Sequence, residues 1–154
     1  MRYFLWLMPE PKAAMYWNGV IHRLALIYNQ IPHMAHITLA SWSQKPDLDF
    51  AAEAKIRAVE LNIGAPEIGE IPWQRLYVPI HSIEKLAPFE WIEGHRCRNA
   101  HISLLYGTHS TGRCIDIQHS LRLNLKPILF SQIALIQGSK DVASWIEIQR
   151  WALA

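Results

Sequence analysis

Two segments of the chain carry one pattern, Ala35-His36-Ile37-Thr38-Leu39 and Ala100-His101-Ile102-Ser103-Leu104, each inside an apolar run that reads as a β-strand. A strand alternates its side chains between faces, so His36 shares a face with Thr38, and His101 with Ser103, at Cα spacings of roughly 7 Å. Ile37 and Leu39, like Ile102 and Leu104, take the opposite faces. Each segment can therefore bury an aliphatic pair while presenting an imidazole and a hydroxyl. The chain has to accommodate two such strands, with histidines at positions 36 and 101, and the interval leaves each copy its own flanking helix and strands. A duplicated, two-lobed unit meets that requirement.

The remaining elements follow from periodicity and from turn residues. Positions 3–8 read as a buried strand ended by Pro9. Trp17, Val20, Ile21, Leu24 and Tyr28 recur at helical spacing and predict an amphipathic helix over 17–30, with Asn18 and Gly19 near its start. A strand over 36–42 follows, then a polar turn. Asp47 or Asp49 is placed to cap a helix whose apolar face is Phe50, Ala54, Ala58 and Leu61, with Asn62-Ile63-Gly64 as its stop. Positions 67–71 and 75–83 read as two strands around the Pro72-Trp73 turn, with Pro79 suggesting an edge or a bulge. The strand over 101–106 ends at Gly107, and a weak helix is expected between 111 and 123. Positions 128–137 and 145–152 predict a hairpin through Gly138-Ser139-Lys140-Asp141. Strands and helices that mix without strict alternation point to an α+β fold with mostly antiparallel sheets.

With 154 residues the chain is expected to form a single domain spanning 1–154. Hydrophobic residues make up 51% and charged residues 18%, which excludes a disordered chain. A net charge of +2 is too mild for a non-specific nucleic-acid binder, and it suits a small anionic ligand. The apolar run at the N-terminus is short, is interrupted by Pro9, and lacks a small-residue cleavage site. No stretch reaches the roughly 20 apolar residues that span a bilayer. A cytoplasmic protein with no membrane partner is the expectation, with Cys97 and Cys114 reduced and structural.

Hydrolysis of a phosphodiester needs a base for the attacking water and an acid for the leaving alkoxide, on opposite sides of phosphorus. Two imidazoles, with ordinary pKa values near 6.5, meet that demand when one is neutral and the other protonated. The Thr38 and Ser103 hydroxyls would hold the non-bridging oxygens. The bare motif is cheap, since His109-Ser110-Thr111 is a third copy among eight histidines. That copy lies in a polar, Gly-flanked stretch without aliphatic alternation and reads as a loop.

The paired motifs, in this order and spacing, resemble the 2H phosphoesterase superfamily. The second copy, His101-Ile102-Ser103-Leu104-Leu105-Tyr106-Gly107, is similar to its cyclic phosphodiesterase branch, as is the opening Leu5-Trp6-Leu7-Met8-Pro9. The resemblance spans nearly the whole chain, although only the two motifs are specific. It implies a bilobal fold, two pseudo-symmetric lobes whose antiparallel sheets line a central cleft with helices outside. It implies metal-independent hydrolysis of cyclic phosphates on ribose, such as ADP-ribose 1″,2″-cyclic phosphate or nucleoside 2′,3′-cyclic phosphates, without a cofactor. His36 and His101 would be the acid–base pair, with a lean toward His101 activating water and His36 protonating the leaving oxygen. Thr38 and Ser103 would bind phosphate, and Tyr106 matches an aromatic that flanks the family's cleft. Ala35 and Ala100 stand where many relatives have Pro, which concerns strand entry rather than chemistry.

Other residues carry weaker expectations. Trp6 would lie on a strand near the cleft and is a candidate to stack on a base, against simple core packing. His33 and His36 have metal-like spacing but no second ligand cluster, so no metal site is expected. Arg96 and Arg98 are candidates to steer an anion or to form a solvated basic loop, and His81 reads as structural or rim-exposed. The partners expected are a small cyclic-phosphate nucleotide or, alternatively, RNA ends processed by a 2′-5′ ligase, cyclic phosphate hydrolase or exonuclease. A non-catalytic nucleotide-binding module is the reading from another class, and a monomer is expected.

Overall fold

The computed structural model describes residues 1–49 and 56–154. Its architecture is mixed α+β with antiparallel sheets. Among the described residues ten regular elements run in the order β1 (Arg2–Pro9), α1 (Pro11–Ile27), β2 (Ile37–Trp42), β3 (Val59–Leu61), β4 (Glu67–Ile68), β5 (Leu76–Pro79), β6 (His101–Leu105), α2 (Thr111–Ser120), β7 (Ile128–Gly138) and β8 (Ile146–Ala152). Short 3-10 turns at Pro72–Gln74, Ile83–Phe89, Cys97–Asn99 and Val142–Ser144 join some of them.

The larger sheet has the order β2-β1-β7-β3, with β8 also paired to β7, and the smaller is β4-β5-β6. All strand pairings among the described residues are antiparallel. Strand β2, which His36 immediately precedes, and strand β6, which opens with His101, therefore each stand at the end of their sheet. Strand β1 is buried on both faces: Leu5 and Leu7 enter the main core, while Trp6 and Met8 pack with Ala134 and Ile136 on the other side. That is why its sequence reads as an unbroken apolar run.

Helix α1 buries Trp17, Val20, Ile21, Leu24 and Ala25, the stripe its periodicity predicts. It starts at Pro11, six residues earlier than expected. Pro11 supplies a preset φ at a position where its missing N–H costs nothing, and the Glu10 carboxylate accepts the free N–H groups of Lys12 (2.9 Å) and Ala13 (2.7 Å). Asn18 and Gly19 accordingly lie inside the helix. The Asn18 side chain is turned outward to accept the Ala35 N–H at 2.7 Å, which ties α1 to the residue before His36.

The helix expected from Asp47 or Asp49 needs correction. Phe50 and Ala54 lie outside the described residues, Ala58 is not helical, and Leu61 belongs to strand β3. Strand β7 is long enough to offer Ile128–Phe130 as a ladder for Val59–Leu61, and this pairing buries Leu61 completely. Tertiary pairing overrides the local spacing there. Pro79 is the last residue of the middle strand β5, not of an edge strand, so its missing donor falls where the ladder ends. The hairpin β7–β8 and helix α2 form as expected. Cys97 and Cys114 are free and buried, and no helix among the described residues is long and apolar enough to cross a membrane.

Replacing Glu10 by Ala removes two capping bonds, and the expected loss is about 1 kcal/mol of unfolding free energy in urea titration. Unchanged stability would mean that water satisfies those N–H groups equally well.

Candidate functional site

A cavity of about 750 Å³ opens between the two sheets, and His36, Thr38, His101, Ser103, Tyr106 and Trp6 all line it. The six residues singled out in the sequence thus share one concave surface. The two histidines are held alike. The Nδ1–H of His36 donates to the Met34 carbonyl at 2.6 Å, and that of His101 to the Asn99 carbonyl at 2.7 Å. A carbonyl only accepts, so Nδ1 carries the proton in each ring and Nε2 of the neutral form keeps a lone pair. Both bonds reach back two residues, to the chain just before the motif.

The strands repeat a second device. In β2, Thr38 lies opposite Trp6 and Ala40 opposite Leu5, so Leu39 is an extra residue in the ladder. In β6, Ser103 lies opposite Tyr77 and Leu105 opposite Leu76, so Leu104 is extra. Each bulge falls on the leucine that follows the hydroxyl residue. An extra residue reverses the alternation beyond it. Ala40 and Leu105 consequently turn inward to the core, and Ser41 and Tyr106 turn to the cavity. Each strand thus presents the series histidine, hydroxyl residue, and a third side chain three positions further on.

An aromatic ring from the neighbouring strand completes each half. Trp6 lies flat on His36, with ring centroids 3.7 Å apart and planes 13° from parallel, and Tyr77 meets His101 at 5.3 Å and 67°. Trp6 is only 5% exposed, and its indole face is covered by His36. Its contact with the site therefore runs through the imidazole. Trp145 stands edge-on to Trp6 at 5.1 Å, to His36 at 6.1 Å and to Tyr106 at 5.8 Å. A Cβ on Gly138 would collide with the Trp145 ring, so a glycine is required there.

The two hydroxyls differ. Ser103 Oγ donates to the Trp73 carbonyl at 2.7 Å and is almost fully buried. The Thr38 hydroxyl makes no hydrogen bond among the described residues and faces the cavity half-buried. Tyr106 is half-buried, and the loss of water around it pushes its phenol well above the usual value, so it stays a donor.

His33 is buried next to His36 and Tyr106. Its Nε2–H donates to the Ser103 carbonyl at 2.8 Å, and its ring lies 4.2 Å from that of Tyr106, so it ties the α1–β2 connection to β6. Among the described residues no group of three or more His, Cys, Asp or Glu is arranged to hold a metal ion. His109 occupies the loop before α2, as its surroundings suggested. Arg96 lines the cavity, while Arg98 and His81 are exposed and do not.

Sequence reasoning missed Ser41, Asn18, Trp145 and the structural part of His33. Ser41 had a usable signal, because Tyr106 was found three residues beyond Ser103 and the same offset from Thr38 leads to Ser41. The others act across distances that no local pattern encodes. No protein-family model and no curated protein matches this chain.

Burial dominates the electrostatics. It lowers the pKa of His36 to about 3, with His33 and His101 adding repulsion and the Met34 carbonyl opposing. It lowers that of His33 to about 4, against the Ser103 carbonyl bond. Burial lowers His101 as well, against the Asn99 carbonyl bond. Folding therefore holds His33 and His36 neutral. Their contribution to stability is intact above pH 6.5, the unfolded value, and is lost as the pH falls from 6.5 toward 4 and 3. Unfolding free energy should drop by on the order of 1 kcal/mol per pH unit for each of the two over that window. Urea titrations at several pH values check this, and His33→Gln should flatten the slope by about half. A wild-type slope near zero would show that water or a counter-ion reaches both rings.

Proposed function

We propose that this cavity hydrolyses a cyclic phosphodiester on ribose by acid–base catalysis between His36 and His101, in the manner of the 2H phosphoesterases. The observation that carries the reading is the duplicated local arrangement: each histidine anchored through Nδ1 to the carbonyl two residues before, each followed by a cavity-facing hydroxyl residue and a bulged leucine. Two sheets each contributing one such strand support a pseudo-symmetric, bilobal organisation of the site. Two imidazoles with available Nε2 atoms on one cavity suit in-line displacement, one on the water side of phosphorus and one on the ribose side.

The burial contrast favours an assignment opposite to the lean of the family resemblance. His36 is 4% exposed, stacked on Trp6 and held neutral in the free protein. As base, its Nε2 takes the proton of the attacking water. The imidazolium that forms then lies on the indole face, where a cation–π interaction of about 2 kcal/mol arises only as charge develops. His101 is nearer the solvent, and a bound phosphate anion raises its pKa so that Nε2–H can protonate the leaving ribose oxygen. The Thr38 hydroxyl is free to donate to a non-bridging oxygen. Ser103 would first have to leave the Trp73 carbonyl.

The test uses 2′,3′-cyclic nucleotides beside a nucleoside 4-nitrophenyl phosphate, whose leaving group needs no acid, with EDTA present throughout. His36→Ala and His101→Ala should each lower kcat/KM on the cyclic substrates by roughly 100-fold or more. On the nitrophenyl diester His101→Ala should recover most of its activity and His36→Ala should not. Recovery in the opposite variant would reverse the roles, and an inert wild type would leave a phosphate-binding module. Trp6→Leu should lower kcat by about 10-fold with a much smaller change in KM, as expected for a contact that strengthens with charge on His36.

A further inference from the structure

Beyond the histidines, the cavity wall carries Arg2, Arg96 and Lys140, against one carboxylate, Asp141. Asp141 is engaged, since its Oδ1 accepts the Ala143 N–H at 3.0 Å. Glu147 and Arg150 form the only ion pair among the described residues, so none of the three cations has a carboxylate partner there. Lys140 sits over the Trp73 ring at 5.1 Å. Arg2 and Arg96 converge on β2: Arg2 Nη2 donates to Ser41 Oγ at 3.3 Å, and the Arg96 backbone N–H donates to the carbonyl of the bulged Leu39 at 2.6 Å. The bulge thus brings Ser41 to the cavity in contact with Arg2 and two residues from the carbonyl that holds the backbone of Arg96, and all three line the cavity. One phosphodiester monoanion at the histidines does not use this charge. Guanidinium groups match phosphate geometry, and a concave wall concentrates their field on an anion.

Ser41 lies three residues beyond Thr38, roughly 7–10 Å along the strand, a separation that a ribose spans. We propose that Arg2, Ser41 and Arg96 form a second phosphoryl-binding subsite, so that the substrate is a ribonucleotide carrying a further phosphoryl group besides its cyclic phosphate. This rests on the phosphodiesterase reading and narrows it: a bare cyclic mononucleoside is the poorer substrate. The second group is a terminal 5′-phosphate, a pyrophosphate or an internucleotide phosphodiester, which share the recognised chemistry.

The probes are adenosine 2′-phosphate and 3′-phosphate against the corresponding 2′,5′- and 3′,5′-bisphosphates. Binding is followed by calorimetry, beside turnover of adenosine 2′,3′-cyclic phosphate with and without a 5′-phosphate. The readout is the ratio of paired Kd values within each variant. The wild type should favour the bisphosphates by roughly ten-fold or more. Arg2→Ala and Arg96→Ala should bring the ratio close to one, and Arg98→Ala, at a neighbouring arginine outside the cavity, should keep it. Replacing the 5′-phosphate by a 5′-diphosphate or a 5′-linked nucleotide identifies which source binds tightest. Equal affinities in the wild type, or a ratio that survives both alanine variants, overturn the subsite and leave hydrolysis standing. An arginine-dependent ratio without turnover of either cyclic compound upholds the subsite and overturns the phosphodiesterase reading.

Discussion

One extra residue in each of two edge strands decides which side chains reach the cavity. A regular ladder would turn Ala40 and Leu105 toward the site and bury Ser41 and Tyr106. Because Leu39 and Leu104 are bulged, the apolar neighbours enter the core and the polar ones face the cavity. Leu39 and Leu104 are themselves almost completely buried, so packing keeps the irregularity in place. A bulge at a sheet edge bends the strand and strengthens its twist, which helps the two histidine strands curve around a common space. Anchoring each imidazole through Nδ1 then leaves the outer nitrogen directed by the backbone rather than by a flexible partner.

The aromatic lining sets the chemistry these imidazoles are capable of. Removing His36 from water costs it its ordinary basicity, so the resting ring is neutral. The surrounding indoles of Trp6 and Trp145 exclude water yet offer π-faces and edges that respond to a charge appearing on the ring. The positive groups instead line the wall beyond, at Arg2, Arg96 and Lys140. The cavity thus sets its cationic side chains apart from a resting imidazole that is neutral.

Several features were legible without coordinates because they rest on local periodicity. The apolar stripe of α1, the β7–β8 hairpin and the alternation around His36 and His101 all repeat at the spacing of their element. The failures have physical causes. The start of α1 depends on Glu10 and Pro11 acting together at a helix end, whereas a proline after an apolar strand reads first as an interruption. Ala58 and Leu61 match a helix by spacing, but a vacant stretch of β7 draws Val59–Leu61 into a ladder. Trp6 lies on the expected strand and lines the cavity, but its stacking on His36 joins residues on two strands and has no local signal in the sequence.

By itself the sequence determined that two strands present an imidazole and a hydroxyl from an otherwise aliphatic surface, since alternation along one strand is a local property. It also determined the likeness between the two, which needs only comparison of residues 35–39 with 100–104. Tertiary structure alone decided that the strands face one cavity, that both ladders slip by one residue after the hydroxyl, and that Asn18, His33 and Trp145 brace the result. Those contacts join positions 17 to 109 residues apart in the chain. Their energy comes from burial and pairing that exist only after the sheets have assembled, so no window of sequence contains them.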